Sequence, residues 1–168
     1  MDSSKEVQMR AVLQRVSRAS VSVAGEERAA IGNGLLVLLA AGREDTEKDV
    51  AWIADKIVGL RVFEDELGKM NLSVKDVHAE MIVVSQFTLY GDCRKGRRPS
   101  FVRAMEPDSA ALLCDMFTQR VRAAGVRCDT GEFGAHMAVA LVNDGPVTLL
   151  VDSAVPRRSG TGGFGDGS

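Results

Sequence analysis

Few side chains in this sequence have the chemistry for covalent or acid–base catalysis, and those few are scattered. His78 and His136 are the only histidines. Neither has a carboxylate or thiol at metal-ligand spacing, so the pattern predicts no metal site. No cofactor motif is present: there is no Gly-x-Ser-x-Gly elbow and no phosphate-binding glycine loop. What remains are hydroxyls and backbone. Ser85, Gln86 and Thr88 stand where the apolar run Met81 to Phe87 turns polar, and strand ends commonly present functional groups. The same groups could instead do no more than satisfy strand-end backbone. Cys93 precedes Arg94, Lys95, Arg97, Arg98 and Arg103. Neighbouring cations lower a thiol pKa, although an inert exposed thiol is the simpler reading of this pattern.

A second stretch, Asn143-Asp144-Gly145-Pro146-Val147-Thr148, has chemistry in its backbone. Asp-Gly between two alternating apolar runs predicts a hairpin turn joining a strand over Met137 to Val142 to a partner over Val147 to Asp152. Pro146 complicates this, because it removes a donor where the returning strand begins. X-Pro bonds are also the ones that become cis at a cost of only about 0.5–1 kcal/mol. Two readings follow: an edge hairpin with a tolerated proline, or a rigid Gly-Pro element whose carbonyls are held out for recognition.

These residues must be placed by elements that the periodicity outlines. Arg10 to Val16 and Ala19 to Val23 alternate as strands, or as one strand with a bend, and Arg28 to Ile31 makes a short return. Leu35 to Ala41 is apolar throughout, which predicts a central strand covered on both faces. Asp45 or Thr46 can cap a helix with Val50, Ile53, Ala54, Ile57 and Leu60 on one face, and Trp52 lies off that stripe. Leu60 to Phe63 reads as a short strand, and Met81 to Phe87 as a buried one. Pro107 opens a second helix with Leu112, Leu113, Met116, Phe117, Val121 and Ala124 as its apolar face, Cys114 as a small core or near-core residue and Gly125 as its stop. Val126 to Thr130 is a further strand. The order predicts a single α+β domain with a mixed, mostly antiparallel, barrel-like sheet and two main helices.

Composition sets the bounds. The 168 residues suit one domain, 45% hydrophobic and 26% charged. A net charge of −2 argues against bulk electrostatic binding to nucleic acid but permits the local basic patch from Arg94 to Arg103. Residues 1–8 read as a disordered polar leader, and residues 153–168, rich in Gly, Ser and Arg, as a disordered tail. The leader has no apolar segment of a signal peptide, and Leu35 to Ala41 is too short to span a membrane. Cys93, Cys114 and Cys128 form no Cys-x-x-Cys pair, the pattern of reduced thiols in the cytoplasm.

Taken together, Ser85-Gln86-Phe87-Thr88-Leu89 and Asn143 to Thr148 resemble the paired signature motifs of the D-aminoacyl-tRNA deacylases, the D-tyrosyl-tRNA deacylase family. The resemblance extends to Gln14-Arg15-Val16, Gly68 to Leu72, Arg98 to Phe101, and Gly131 to Ala135 running into Met137, so it covers about Met9 to Asp152. Only the leader and tail depart from the family's limits. The resemblance implies a homodimer that hydrolyses the ester between a D-amino acid and the 3′-terminal adenosine of tRNA, a chiral proofreading role in translation, with glycine mischarged on tRNA-Ala as a further substrate. It implies that Gly145-Pro146 is cis and enters the partner's pocket, braced by Arg15, to form a composite site. Ser85, Gln86, Phe87 and Thr88 match the opposite wall, and Phe133 and Met137 match residues beside the pocket. Thr148 is a rival nucleophile. Arg94, Lys95, Arg97, Arg98 and Arg103 are candidates for holding acceptor-stem phosphates; no DNA or membrane partner is expected. The competing classes are a non-catalytic RNA- or nucleotide-binding module on the same fold and a metal-dependent hydrolase.

Overall fold

The computed structural model describes residues 8–155. The two sequence runs at the start are one long strand, β1 (Arg10–Val23), and the rest of the sheet is laid along it. On one side, the second half of β1 pairs antiparallel with β2 (Glu26–Ile31) and the first half with β3 (Gly34–Ala40). Beyond β3, β6 (Glu80–Ser85) and β7 (Cys128–Thr130) join in parallel. The close approach of β3 to β6 requires glycine at position 34, where a Cβ would lie 1.9 Å from the Glu80 carbonyl oxygen. β4 (Phe63–Glu64) and β5 (Met70–Leu72) form a separate small ladder. The strand expected over Leu60 to Phe63 thus begins only at Phe63.

β3 is covered on both faces, as its unbroken apolar run predicts. Leu35, Val37 and Leu39 pack with Ile53, Ile57, Phe117 and Val121 from the two helices, α1 (Glu47–Gly59) and α2 (Pro107–Ala123). Leu36 and Leu38 face the inside of the curled sheet with Val16, Val21, Ile82 and Val84. α1 begins in a capping box: the Thr46 hydroxyl accepts from the helix start while Asp49 Oδ2 accepts the Thr46 N–H at 2.9 Å. Trp52, off the main stripe, packs at the core's edge.

The largest departure from expectation is at the end of the chain. No hairpin forms. Residues 137–152 make a single strand, β8 (Met137–Asp152), which pairs antiparallel with the whole length of β1 on its free side. Between the pairs Asn143–Val16 and Thr148–Gln14, four residues (144–147) stand against Arg15 alone, so the Gly-Pro segment is a wide bulge and not a reversal. Asn143 explains how direction is kept. Its Oδ1 accepts the Val147 N–H at 2.8 Å, and its Nδ2 donates to the Val147 carbonyl at 3.2 Å and the Thr148 hydroxyl at 3.0 Å. The side-chain amide takes the place of the missing ladder partner, and the chain rejoins β1 beyond the loop.

The expected leader and tail lie mostly outside the described residues. At their inner ends, Gln8 Nε2 donates to the Val155 carbonyl at 3.0 Å, and the buried Ser153 hydroxyl donates to Asp49 at 2.7 Å.

Candidate functional site

β6 ends at Ser85, and the chain then tightens into a 3-10 turn, Phe87–Tyr90, rather than continuing as strand. Gln86 remains tied to the sheet by its N–H, 2.8 Å from the Leu39 carbonyl. The amides of Phe87 and Thr88, at the open start of the turn, have no hydrogen-bond partner among the described residues, and no side chain caps them. Phe87 is 56% exposed and meets Phe101 edge to face, with ring centroids 5.1 Å apart. The Gln86 amide donates to the Thr88 hydroxyl.

Next to this turn lies a pocket of about 580 Å³, walled on one side by Ser85, Gln86 and Phe87 and on the other by Phe133 to Met137. Phe101, Met105 and Glu106 close it from the segment leading into α2. Of the residues the sequence nominates, this pocket therefore gathers Ser85, Gln86, Phe87, Phe133 and Met137. Cys114, expected in or near the core, packs against the core and also lines the pocket. Burial pushes the Cys114 thiol up while a hydrogen bond from Ser85 opposes this, so it remains a neutral partner of the Ser85 hydroxyl.

The sequence missed His136 and Glu106 as lining residues. His136 is exposed at the rim. Glu106 is the N-cap of α2, and its carboxylate accepts from the Asp108 N–H at 2.9 Å and from the hydroxyl and N–H of Ser109. Those bonds hold its pKa below the usual carboxylate range, which makes it a poor proton acceptor. Phe101 carried a signal, since it belongs to the Arg98 to Phe101 motif.

Arg15, Gly145, Pro146 and Thr148 are not in that pocket. The Gly145-Pro146 bond is cis and both residues are exposed. Arg15, 5% exposed, supports the bulge from beneath: Nε donates to the Asp144 carbonyl at 2.9 Å and Nη1 to the Val62 carbonyl at 2.8 Å. The Thr148 hydroxyl receives Gln14 Nε2 at 3.3 Å as well as Asn143. Around the bulge, β8 exposes Val139, Val142, Leu149 and Leu150 along an outer edge with no strand partner among the described residues.

The five cations of the basic segment are exposed. One of its cations is already matched: Arg94 donates to both carboxylate oxygens of Asp92, at 2.9 and 2.7 Å. Lys95, Arg97 and Arg98 have no ion-pair partner among the described residues, while Arg103 also acts electrostatically on Asp92. No group of three potential metal-ligating residues occurs among the described residues.

The profile described as D-Tyr-tRNA(Tyr) deacylase matches residues 12–152. The chain belongs to the D-Tyr-tRNA(Tyr) deacylase family. Its similarity to individual deacylases is spread over nearly their full length. It is 58% identical over 146 residues to the D-aminoacyl-tRNA deacylase of Thermotoga petrophila, covering 87% of this chain and 98% of that one. With the D-aminoacyl-tRNA deacylase of Myxococcus xanthus it shares 59% over 148 residues, 88% and 97% of the two chains. Among solved structures, a c-Myc DNA unwinding element binding protein superposes with a TM-score of 0.82 at 45% identity, over 87% of this chain and 99% of that chain. A probable eukaryotic D-amino acid tRNA deacylase superposes at 0.78 with 20% identity, over 86% and 99%, which shows the shared deacylase fold.

Proposed function

We propose that the protein hydrolyses the ester of D-aminoacyl-tRNA, releasing free D-amino acid and tRNA, as a chiral proofreading enzyme of the cytoplasm. The observation that carries this reading is the pairing of two features in a deacylase-family chain. One is a pocket lined by Phe87, beside a 3-10 turn whose first two amides are unpartnered among the described residues. The other is an exposed Gly145-Pro146 bulge braced by a buried arginine.

Water attacks the ester carbonyl carbon, and the negative charge developing on the carbonyl oxygen is taken by the Phe87 and Thr88 amides. The ribose 3′-oxygen leaves with a proton. The lining carboxylate, Glu106, is committed to its helix, so the substrate's 2′-hydroxyl assists the proton transfer. The chiral filter is backbone. The Gly145 and Pro146 carbonyls accept from the substrate's α-ammonium group and leave no room for an L side chain, while D side chains and glycine, including glycine mischarged on tRNA-Ala, pass. A misfit of about 4 kcal/mol suffices for roughly thousandfold rejection.

The bulge reaches a pocket by dimerisation. A sixteen-residue edge strand with exposed Val139, Val142, Leu149 and Leu150 is a surface that proteins cover. A second copy packed on β8 brings Gly145-Pro146 into the neighbouring pocket, giving composite sites.

Turnover of D-tyrosyl-tRNA by catalytic amounts of protein tests the reading. The rival, a non-catalytic RNA-binding module, predicts binding without release of tyrosine. Thr148→Ala is expected to retain more than half of the wild-type single-turnover rate, because the hydroxyl serves the bulge's hydrogen bonds. Loss of hydrolysis with substrate binding intact would instead make Thr148 the nucleophile.

Lys95, Arg97, Arg98 and Arg103 hold the acceptor-stem phosphates. Replacing Lys95, Arg97 and Arg98 with alanine is expected to flatten the slope of log affinity against log salt by about 2, at roughly 0.7–0.9 per phosphate contact. Arg94→Ala should change it little, since Asp92 already neutralises that cation. Unchanged affinity in the triple variant would remove this segment from the interface.

A further inference from the structure

We propose that Tyr90 is a positioning residue for deacylation: its buried hydroxyl locks the 3-10 turn that presents the Phe87 and Thr88 amides. This rests on the deacylase reading above. Tyr90 is the last residue of that turn and 4% exposed. Its hydroxyl lies 2.5 Å from the Gln8 carbonyl, 3.3 Å from the Ala40 carbonyl and 3.5 Å from Asp45 Oδ2. One proton serves these acceptors, and the Gln8 carbonyl is the nearest. Asp45 Oδ2 in turn accepts the Gly42 N–H at 2.5 Å. The phenol therefore ties the turn to the segment just before β1 through the Gln8 carbonyl, and packs it against the end of β3 and the loop entering α1. Ala40 is itself a lining residue of the pocket. Burial pushes the phenol's pKa up, which keeps it a neutral donor.

Arg10 completes the lock from the other side. Its guanidinium lies 6.0 Å from the Tyr90 ring centroid, Nη1 donates to the Leu89 carbonyl at 3.3 Å, and Nε donates to Asp152 at 2.9 Å. Asp152 ends β8, the strand that carries both Met137 of the pocket and the Gly145-Pro146 bulge. The turn is thus held at its Leu89-Tyr90 end and open at its Phe87-Thr88 end. Its own bonds, Leu89 N–H to the Gln86 carbonyl at 3.2 Å and Gly91 N–H to the Thr88 carbonyl at 2.9 Å, make it a single tight unit. A shift at Tyr90 is transmitted to the amides, and oxyanion donors act only when held in place before the reaction.

The test uses the full chain with D-tyrosyl-tRNA. Tyr90→Phe removes only the hydroxyl and is expected to lower kcat about tenfold with KM within about twofold, since the loss falls on the transition state. Arg10→Gln, which leaves the phenol in place, is expected to do the same. The double variant should lose no more than about the larger single loss, because both act on one turn. A Tyr90→Phe enzyme with wild-type kcat, whatever its melting temperature, overturns the inference; so does an Arg10→Gln enzyme with wild-type kcat if Tyr90→Phe does not fold. An inactive wild type would instead overturn the deacylase reading and this inference with it.

Discussion

Gly145→Ala is expected to lower D-tyrosyl-tRNA deacylation by about a hundredfold, the scale of an ångström-sized misplacement of a binding element. Gly145 has φ +148°, a conformation that L residues rarely adopt. A Cβ there would lie 2.8 Å from both the backbone nitrogen and Cγ2 of Val147, and 3.3 Å from Arg15 Nη2. None of these neighbours can simply step aside. The Val147 nitrogen is bound to Asn143, and the Arg15 guanidinium is bound to two carbonyls. The loop must shift instead, and with it the carbonyls proposed to orient the substrate. Because the bulge is exposed, stability should fall far less than activity, and hydrolysis of the L ester should rise relative to the D ester. Kinetics with both esters, alongside thermal unfolding, check this. An alanine enzyme with the wild-type D rate and stereoselectivity would show that the bulge is not the filter.

The second large effect concerns the Phe87–Tyr90 turn. Phe87→Pro removes one amide from the open start of the 3-10 turn and is expected to lower kcat by about 10²–10³, the usual cost of one oxyanion donor. Proline is tolerated at the first position of a helical turn, and Gln86 before it lies outside the helical region at φ −142°, ψ 77°. Phe87→Ala controls for the exposed ring and its contact with Phe101. It should leave kcat within about tenfold of wild type, and any larger effect should appear in KM. Equal losses in the two variants would locate the contribution in the aromatic ring and take the oxyanion role away from this amide.

The parts of this fold that were legible in the sequence are those set by local physics. Leu35 to Ala41 reads as a strand buried on both faces because no position offers a polar side to water, and the two core clusters share its residues alternately. The start of α1 is marked by Thr46 and Asp49, which form its capping box. Pro107 opens α2, and Gly125, at φ +92°, follows its end. β8 was misread because Asn-Asp-Gly between alternating runs usually reverses the chain. Here the Asn143 amide bridges the gap and the strand continues. A non-local constraint could have corrected this. β1 is fourteen residues long with one side shared between β2 and β3, so its other side needs a partner of matching length, which a hairpin of two short strands does not supply.

The site divides in the same way. Ser85 to Thr88 stood out because an apolar strand turned polar, and the structure places them at the pocket and its edge. Cys114 reads as core or near-core and does pack against the core, but helical periodicity does not reveal that it also borders the pocket. The pairing of Arg94 with Asp92 is local and was available in the sequence, yet a count of cations conceals it. The role of Tyr90 depends on Gln8, Arg10, Ala40 and Asp45, which come together only once β1, β3 and the loop before α1 are assembled.

The most direct measurement of the central claim is the ratio of kcat/KM for matched D- and L-tyrosyl-tRNA with the unaltered protein. A backbone filter with a misfit of about 4 kcal/mol predicts a ratio near a thousand in favour of the D ester, with glycyl-tRNA also hydrolysed. Equal hydrolysis of the two tyrosyl esters, or hydrolysis of neither, would contradict it.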